Sequence, residues 1–362
     1  MTADAAGGVW NYTLELAAAL LPLNVELAVA VMGPPPSAEQ RREALALDNV
    51  ELYEKPFALE WMNDPWRDVA LAGDWLLELE EAFRPDIVHL NNYCHGSLPW
   101  EAPVMVVAHS CVLSWWLAVK GEPAPRLWTR YRTEVAAGLR GADLVVAPTR
   151  AMLSTLLDNY SHLARTHVIF NGRDAKLFPV MEKRDFVLAA GRLWDEGKNL
   201  SALEPIAAQL PWPIFVAGPA SSPDGKSTEF THVDWLGPMA QPDLANWMGL
   251  ASIYALPARY EPFGLGPLEA ALAGCALVLG DIPSLREVWE DTALFVSPDD
   301  PEALDHALRT LIANPDQRKA LASASRRRAL EFTPAKMAQS YFSAYQQMMA
   351  RQPHAIGARL FE

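Results

Sequence analysis

The stretch that decides the fold is residues 253–269, with the sequence IYALPARYEPFGLGPLE. It opens with an apolar run, Ile253–Leu256, which is typical of a buried strand. A glycine-containing turn then leads into a helix that we expect to start near Gly266 or Pro267. The first turn of a helix presents unpaired backbone amides and a partial positive charge, so a phosphate group can bind there. The segment therefore predicts a strand, a turn and a helix that together form an anion site.

Two glutamates flank this turn. Glu261 precedes the expected helix and Glu269 lies about one turn inside it, so one carboxylate can face each side of a ligand held by the amides. The alternative interpretation is that both carboxylates only favour the helix N-terminus electrostatically. The Pro-Phe-Gly turn between them, Pro262–Gly264, favours a binding site over that alternative.

A second charged loop, residues 191–199 with the sequence GRLWDEGKN, follows the apolar run Phe186–Ala190. It differs from a P-loop, because five residues rather than four separate its glycines and Asn199 replaces the serine or threonine that would bind magnesium. Arg192 and Lys198 remain as fixed cations at the carboxyl end of a strand, where they suit a diphosphate. A solvated loop with ordinary surface charges is the alternative, which the presence of the glutamate segment disfavours.

Short apolar runs alternate with amphipathic stretches along the chain, a pattern that predicts parallel sheets covered by helices on both faces. In the first half, the expected strands are Val25–Val31, Asp86–Leu90, Val104–Ala108, Leu144–Ala147 and His167–Phe170, and the expected helices are Val9–Leu20, Trp66–Phe83, Arg126–Leu139 and Ala151–Tyr160. In the second half, the expected strands are Phe186–Ala190, Ile214–Ala217, Val233–Leu236, Ile253–Leu256, Ala276–Leu279 and Leu294–Val296, and the expected helices are Leu200–Gln209, Pro242–Gly249 and Pro267–Ala273.

The alternation restarts after a linker at residues 171–184. We therefore expect an α/β protein with a first domain at residues 1–175 and a second at residues 180–334. A final helix, residues 335–362, is expected to pack back on the first domain. Two such domains leave a cleft at the carboxyl ends of their strands, where parallel sheets bind ligands. Six residues precede Gly7, so either the first strand is very short or the chain begins inside it.

The chain has 362 residues and a formal net charge of −14, from 30 Lys and Arg against 44 Asp and Glu. This charge repels nucleic acid and anionic lipid at long range, so an anionic ligand must be held by a few local groups. The three cysteines lack metal-type spacing, and no apolar stretch reaches the roughly 20 residues that span a bilayer. The N-terminus also lacks a secretory signal. We expect a cytoplasmic protein without a nucleic-acid partner.

The motifs of the second half resemble those of glycosyltransferase family 4, whose members have the two-lobed GT-B architecture. The Glu261-x7-Glu269 segment matches the best-known motif of that family, and Gly191–Leu193 with Gly197-Lys198 matches its phosphate-contacting loop. Smaller matches are Gly7-Gly8, Asn171-Gly172 and Trp235-Leu236-Gly237. The resemblance implies two Rossmann-like, doubly wound parallel-sheet lobes that face a central cleft, the first for the acceptor and the second for the donor.

The resemblance implies a retaining hexosyltransferase that moves a sugar from a nucleotide-diphosphate sugar to an acceptor, which is a sugar, a glycolipid or a small molecule. Glu269 would bind the donor ribose hydroxyls. Glu261 would contact the sugar hydroxyls, with help from the backbone amides at Phe263, Gly264 and Leu265. No metal and no separate cofactor are implied.

The same resemblance implies which residues contact the leaving group. Arg192 and Lys198 would neutralise the departing diphosphate, and Gly8 would bring bare backbone close to it. Cations and amides lower a barrier where negative charge grows on a departing phosphate. The resemblance thus implies that Arg192, Lys198, Glu261 and His109 are the catalytic residues, and that Gly8 belongs to the donor-binding residues.

His109 ends an apolar strand in the first half and matches a family histidine near the donor sugar and the reacting carbon. His89 either lines the cleft or packs structurally. The Trp115-Trp116 pair is placed to stack on an acceptor, although ordinary packing is the alternative for each ring. Ser110 replaces the aspartate or glycine that usually follows the family histidine, which changes the expected acceptor geometry.

Three other interpretations remain open at this point. A glycoside hydrolase would use Glu261 and Glu269 as acid and nucleophile, but it has no use for two fixed cations. A nicotinamide-dependent oxidoreductase would need a Gly-x-Gly-x-x-Gly segment after a strand, which the sequence lacks. A nucleotide-sugar-binding protein without transferase activity would keep the donor residues and need nothing at His109. Arginines 126, 130, 132 and 140 could meet a membrane surface, although the net charge favours a solvated face.

Overall fold

The computed structural model describes residues 1–5, 7–161, 163, 165–221 and 230–351. The chain forms two compact units. The first unit contains Met1–Ser114, Pro123–Gly172 and the C-terminal part from Pro334, and the second contains Trp115–Glu122 and Arg173–Thr333. The part of the expected final helix beyond residue 351 lies outside the described residues.

All strand pairings in the described part of the chain are parallel. The strands of the first unit are β1 Thr2–Asp4, β2 Leu27–Met32, β3 Val50–Glu54, β4 Val88–Leu90, β5 Val104–Val107, β6 Leu144–Ala147 and β7 Thr166–Val168. Those of the second unit are β8 Arg184–Ala190, β9 Ile214–Ala217, β10 Asp234–Gly237, β11 Ala251–Leu256, β12 Ala276–Gly280 and β13 Leu294–Val296.

Helices lie between most of these strands along the chain. They are α1 Gly8–Leu20, α2 Ala38–Leu45, α3 Trp66–Phe83, α4 Val112–Lys120, α5 Thr129–Gly141, α6 Arg150–Tyr160, α7 Glu204–Ala207, α8 Gln241–Leu250, α9 Leu265–Leu272, α10 Pro283–Trp289, α11 Pro301–Ala313, α12 Pro315–Ala329 and α13 Pro334–Met349. No helix among the described residues is both long and apolar enough to cross a lipid bilayer. The predicted α/β class with parallel sheets in separate lobes is confirmed.

The sheet of the second unit has the strand order β10-β9-β8-β11-β12-β13. The chain builds outward from β8 in one direction and from β11 in the other, so the strand order reverses between these two strands. In open parallel sheets, ligands bind beside the carboxyl ends of the strands at such a reversal. Because β8 ends at Ala190 and β11 ends at Leu256, the loop 191–199 and the Glu261–Glu269 segment both emerge at this point.

The first unit has a three-stranded sheet, β1-β2-β3, and a four-stranded sheet, β4-β5-β6-β7. Asn91 joins them just after β4. Its backbone amide donates to the Thr2 hydroxyl at 2.8 Å, and its side-chain amide donates to the Thr2 carbonyl at 2.7 Å. Asn91 therefore links the first strand of one sheet to the first strand of the other, and its side-chain oxygen also lies 2.8 Å from His109 Nε2, just after β5.

The strand before Gly7 is only three residues long in the structure. The Met1 amine donates to the Ala28 carbonyl at 2.6 Å, and burial lowers the pKa of this amine to about 5. Beside it is a cavity of about 490 Å³ among side chains of β2, β4, α3 and α13. The three residues of β1 are thus held to β2 through Met1 as well as through their own strand pairing.

The helix α13 belongs to the first unit and is joined to it by an apolar face. Residues three, four or seven positions apart share one face of a helix. The buried residues of α13 in this core are Met337, Ala338, Tyr341, Ala344, Tyr345 and Met348, and their partners include Leu16 of α1, Val29 of β2 and Met105 of β5.

One predicted helix was wrong. Leu200–Gln209 was expected to form a single helix, but it forms a 3₁₀ turn, Leu200–Leu203, followed by the short helix α7. Pro205 has no amide hydrogen to donate to a preceding turn, so it lies at the start of a helix rather than inside one. The structure also adds β3, α2, α4 and α10, which the sequence pattern did not predict.

Candidate active site

The charged loop after β8 is organised by a buried carboxylate. Asp195 Oδ2 accepts a hydrogen bond from Arg192 Nη2 at 2.8 Å. The other oxygen, Asp195 Oδ1, accepts from the Gly197 amide at 2.9 Å and from Trp115 Nε1 at 3.0 Å. A side chain at position 197 would collide with this arrangement, because its Cβ would lie 2.8 Å from Trp115 Nε1. Asp195 therefore fixes the path of the loop as well as the direction of Arg192.

The balance of forces on Asp195 keeps it ionised. Burial alone would raise the pKa of its carboxyl, but Arg192, Lys198 and the donors from Trp115 and Gly197 together hold the pKa below its usual value. Arg192 remains 39% exposed while it contacts Asp195. Since a guanidinium has five N–H donors, Arg192 can bind an anion without leaving its partner.

A second ion pair joins the two segments that the sequence singled out. Lys198 Nζ lies 2.5 Å from Glu261 Oε2, with both side chains largely buried. The backbone carbonyl of Glu261 accepts a hydrogen bond from the Ser284 hydroxyl at 2.5 Å, which fixes this residue from the side of α10. The structure thus brings a cation of the β8 loop and a carboxylate of the β11 segment together at the strand-order reversal.

The turn before α9 has a backbone that only glycine adopts readily. Gly264 has φ +96°, and a Cβ there would lie 3.1 Å from Leu285 Cδ2. The Phe263 ring is buried and packs edge-to-face against Phe332, with ring centroids 5.8 Å apart. Leu265, the first residue of α9, stays partly exposed. The amide end of α9 is therefore anchored from within the unit and accessible at its tip.

Glu269 lies farther inside than the sequence suggested. Its side chain is 8% exposed and forms an ion pair with Arg173, whose Nε lies 3.0 Å from Glu269 Oε1. Burial raises the pKa of Glu269, and the charge of Arg173 and its hydrogen bond act against that increase. The carboxylate is thus compensated by a partner that the motif did not predict.

The candidate residues of the first unit are joined through Asn91. His109 Nε2 lies 2.8 Å from Asn91 Oδ1, and His89 Nε2 lies 3.2 Å from the same oxygen. Because the Asn91 side-chain nitrogen donates to Thr2, its oxygen must be the acceptor for both rings. Both histidines therefore carry their proton on Nε2, and His89 Nδ1 accepts from the Tyr345 hydroxyl at 2.7 Å.

Burial keeps His109 neutral. It lowers the pKa of His109 to about 3, and it lowers the pKa of His89 well below the usual value. The Tyr12 ring meets the His109 ring edge-on, with centroids 4.5 Å apart. His109 can therefore act as a hydrogen-bonding group near neutral pH, whereas His89 is held structurally between Asn91 and α13.

The remaining candidates have clear positions. Gly8 is exposed at the start of α1. The Trp115 indole N–H donates a hydrogen bond to Asp195, and the Trp115 ring packs nearly at right angles to that of Trp116. The Ser110 carbonyl accepts from the Tyr93 hydroxyl at 2.7 Å.

The candidate residues divide between the two units. Gly8 and His109 belong to the first unit. The second unit holds Arg192, Lys198, Glu261, Phe263, Gly264, Leu265 and Glu269.

Sequence reasoning missed Arg173, Asp195 and Asn91. Asp195 lies three residues after Arg192 in a loop that the sequence analysis had already identified as a candidate site. This spacing could have predicted the local ion pair. Arg173 and Asn91 gave no such signal, because their partners Glu269 and His109 are distant in the sequence.

Two family models match this chain. The model of Glycosyltransferase Family 4 matches residues 6–177, and the model of Glycosyl transferases group 1 matches residues 227–328. A D-inositol 3-phosphate glycosyltransferase from Jonesia denitrificans is 24% identical over 91% of this chain and 88% of that protein.

Solved structures show the same fold. Sucrose-phosphate synthase from Thermosynechococcus elongatus superposes with a TM-score of 0.80 at 19% identity, over 96% of each chain. The Anabaena protein HepE in complex with UDP-glucose superposes with a TM-score of 0.75 at 18% identity, over 96% of this chain and 99% of HepE. With both halves matched in order and the two-lobed GT-B fold in place, the chain belongs to the family 4 type of glycosyltransferases.

Proposed function

We propose that this glycosyltransferase moves a sugar from a nucleotide-diphosphate sugar to an acceptor hydroxyl, with retention of anomeric configuration. The observation that carries the proposal is the convergence of the Arg192–Lys198 loop and the amide end of α9 at the strand-order reversal of the second unit. Open parallel sheets bind nucleotides at this place, and helix N-termini bind phosphates.

The diphosphate would bind to groups that are already fixed. Arg192 is aimed by Asp195 and Lys198 by Glu261, yet each cation uses only part of its donor capacity in these contacts. Pre-ordered charges need little reorganisation when negative charge develops, so they stabilise a departing diphosphate efficiently. This supports catalysis through fixed cations and amides without a metal ion.

The two glutamates would recognise the donor rather than exchange protons. Lys198 holds Glu261 at the mouth of the site, where its carboxylate would accept hydrogen bonds from sugar hydroxyls. Glu269 would accept hydrogen bonds from the ribose. A glycoside hydrolase needs two carboxyls that face one glycosidic bond. Here each glutamate is instead paired with a cation, Glu261 with Lys198 and Glu269 with Arg173.

In the reaction, the bond between the anomeric carbon and the diphosphate oxygen breaks, and a bond from that carbon to the acceptor oxygen forms. The acceptor hydroxyl gives its proton to the departing diphosphate oxygen, and Arg192 and Lys198 neutralise the remaining negative charge of the nucleoside diphosphate. We propose His109 as the contribution of the first unit. Its neutral imidazole would hydrogen-bond the donor sugar without adding a positive charge beside the reacting carbon.

The known proteins support the chemical class of the substrates. HepE has been solved with UDP-glucose bound, and the Jonesia protein is named for transfer to a phosphorylated inositol. A nucleotide-diphosphate sugar as donor and a sugar, glycolipid or small molecule as acceptor fit both of these precedents and the site described above.

A thermal-shift panel tests the proposal. UDP, ADP, GDP and their glucose conjugates are each added to the purified protein, with the corresponding nucleoside monophosphates as controls. At least one diphosphate should raise the melting temperature more than its monophosphate does, because a ligand that binds only the folded state stabilises it. If no member of the panel changes the melting temperature, a nucleotide-sugar donor is excluded for this range of bases.

A further inference from the structure

The Arg173–Glu269 pair has features that ordinary surface ion pairs lack. The Arg173 side chain is 2% exposed and that of Glu269 is 8% exposed, with Nε and Oε1 at 3.0 Å. Exposed pairs contribute little, whereas a buried charge needs a partner because it has lost its water. Burial raises the pKa of Glu269, and the buried Arg173 counteracts that increase.

Several contacts fix the position of Arg173. Its backbone amide donates to the Phe332 carbonyl at 3.1 Å, and its guanidinium carbon lies 5.2 Å from the centre of the Phe178 ring. It is the first residue of the second unit after the break at Gly172. The guanidinium is therefore held from the linker side, whereas Glu269 is held by α9.

The ion pair with Arg173 gives Glu269 a defined carboxylate oxygen as a hydrogen-bond acceptor. Arg173 contacts Oε1 of Glu269, while the carboxylate has a second oxygen with its own lone pairs. A fixed, ionised oxygen is a strong acceptor for a hydroxyl group. A site built in this way rejects an analogue that lacks the hydroxyl, because the buried oxygen is then left without a partner.

We propose that Arg173 is a positioning residue for donor recognition: it holds Glu269 in the orientation in which the nucleotide's ribose hydroxyls are distinguished from deoxyribose. The proposal rests on the proposed function, since it assumes that a nucleoside diphosphate binds beside α9. It assigns to Arg173 a part in choosing ribonucleotide donors, although Arg173 itself need not touch the ligand.

The test compares ribose with deoxyribose. The nucleoside diphosphate among UDP, ADP and GDP that most stabilises the wild type is titrated by calorimetry together with its 2′-deoxy and 3′-deoxy forms. The variants are Arg173→Met, Arg173→Lys and Glu269→Gln. The matched control is Arg318→Met, because Arg318 also stacks on an aromatic ring, that of Trp212, but has no contact with Glu269.

The wild type and Arg318→Met should bind at least one deoxy form about tenfold to a hundredfold more weakly than the ribose form, the cost of losing a hydrogen bond to a charged group. Arg173→Met and Glu269→Gln should reduce this ratio to threefold or less. Arg173→Lys should give an intermediate ratio, because it keeps the charge but loses the planar geometry. A merely structural role would change affinity for all forms equally and leave the ratio unchanged.

The outcomes separate the two proposals. A wild type that binds no nucleoside diphosphate contradicts the proposed function itself. A wild type that binds ribose and deoxyribose forms equally, or an Arg173→Met variant that keeps the wild-type ratio, overturns the role of Arg173 and leaves the nucleotide site standing. If Arg173→Met does not fold, Arg173→Lys decides: a ratio equal to that of the wild type refutes the proposal, and a ratio at least threefold smaller supports it.

Discussion

Arg192 is held by the Asp195 carboxylate rather than left free in the loop after β8, and this has a measurable consequence at the scale of single residues. Replacing Arg192 by alanine should weaken binding of a nucleoside diphosphate about tenfold to a hundredfold, because hydrogen bonds to charged groups contribute roughly 1.5–3 kcal/mol. The measurement is calorimetric titration of both proteins with the same nucleotide.

Arg309 provides the control for this substitution. It lies in the same unit, is equally exposed at 39%, and pairs with Asp305 at 2.7 Å much as Arg192 pairs with Asp195. Arg309→Ala should bind the nucleotide as the wild type does. Equal affinities in the wild type and Arg192→Ala would show that this arginine does not hold the diphosphate.

His109 should make the stability of the protein depend on pH. Its folded-state pKa is about 3, below the unfolded value of about 6.5, so the unfolded chain takes up a proton that the folded chain refuses. The free energy of unfolding should therefore fall as the pH drops from 7 to 5. His109→Gln should lose this contribution, so the variant gains about 2 kcal/mol relative to the wild type over that interval. Urea unfolding at both pH values measures the change, and parallel pH profiles for the two proteins would contradict it.

At this scale, the sequence predicted the charges better than their partners. Glu261, Glu269, Arg192 and Lys198 follow from motif spacing within short segments, and the structure places all four in one unit. The pairing of Glu269 with Arg173, 96 positions earlier, depends on how the linker folds against α9, which no local pattern records.

At the scale of elements, α13 is fastened to the first unit by a polar contact within an apolar face. The Tyr345 hydroxyl bonds His89 Nδ1 at 2.7 Å, and both side chains are buried. Tyr345→Phe leaves that nitrogen without its donor, so the free energy of unfolding should fall by about 1–3 kcal/mol. Gln339→Ala, on the exposed face of the same helix, should change it by less than about 0.5 kcal/mol. Equal denaturant midpoints for the two variants would contradict this role of Tyr345.

Elements with one dominant signal were predictable, and those with competing signals were not. Trp66–Phe83 and Ile214–Ala217 have the predicted bounds because apolar periodicity or an apolar run defines each of them alone. The segment from Leu200 has helical periodicity, but Pro205 divides it, so a 3₁₀ turn and a short helix result. The strand β3, Val50–Glu54, was missed because Glu51 and Glu54 interrupt a short apolar pattern at the edge of a sheet.

At the scale of the whole molecule, the two units place their candidate residues in a similar way, after the ends of parallel strands. In the second unit they follow the strands at the order reversal of one six-stranded sheet, and in the first they follow strands of two separate sheets that Asn91 links. The alternation of strands and helices was sufficient to predict two α/β units. The assignment of residues 115–122 to the second unit was not predictable, because it rests on contacts such as Trp115 with Asp195 and Lys120 with Glu196.

The most direct test of the central claim is a crystal structure of this protein with the nucleoside diphosphate that stabilises it most. We predict electron density for the diphosphate at the carboxyl ends of β8 and β11, within hydrogen-bonding distance of the Arg192 guanidinium, the Lys198 ammonium and the first amides of α9. A nucleotide bound elsewhere on the protein, with Arg192 still paired only with Asp195 and Lys198 only with Glu261 among charged groups, would contradict the proposed donor site.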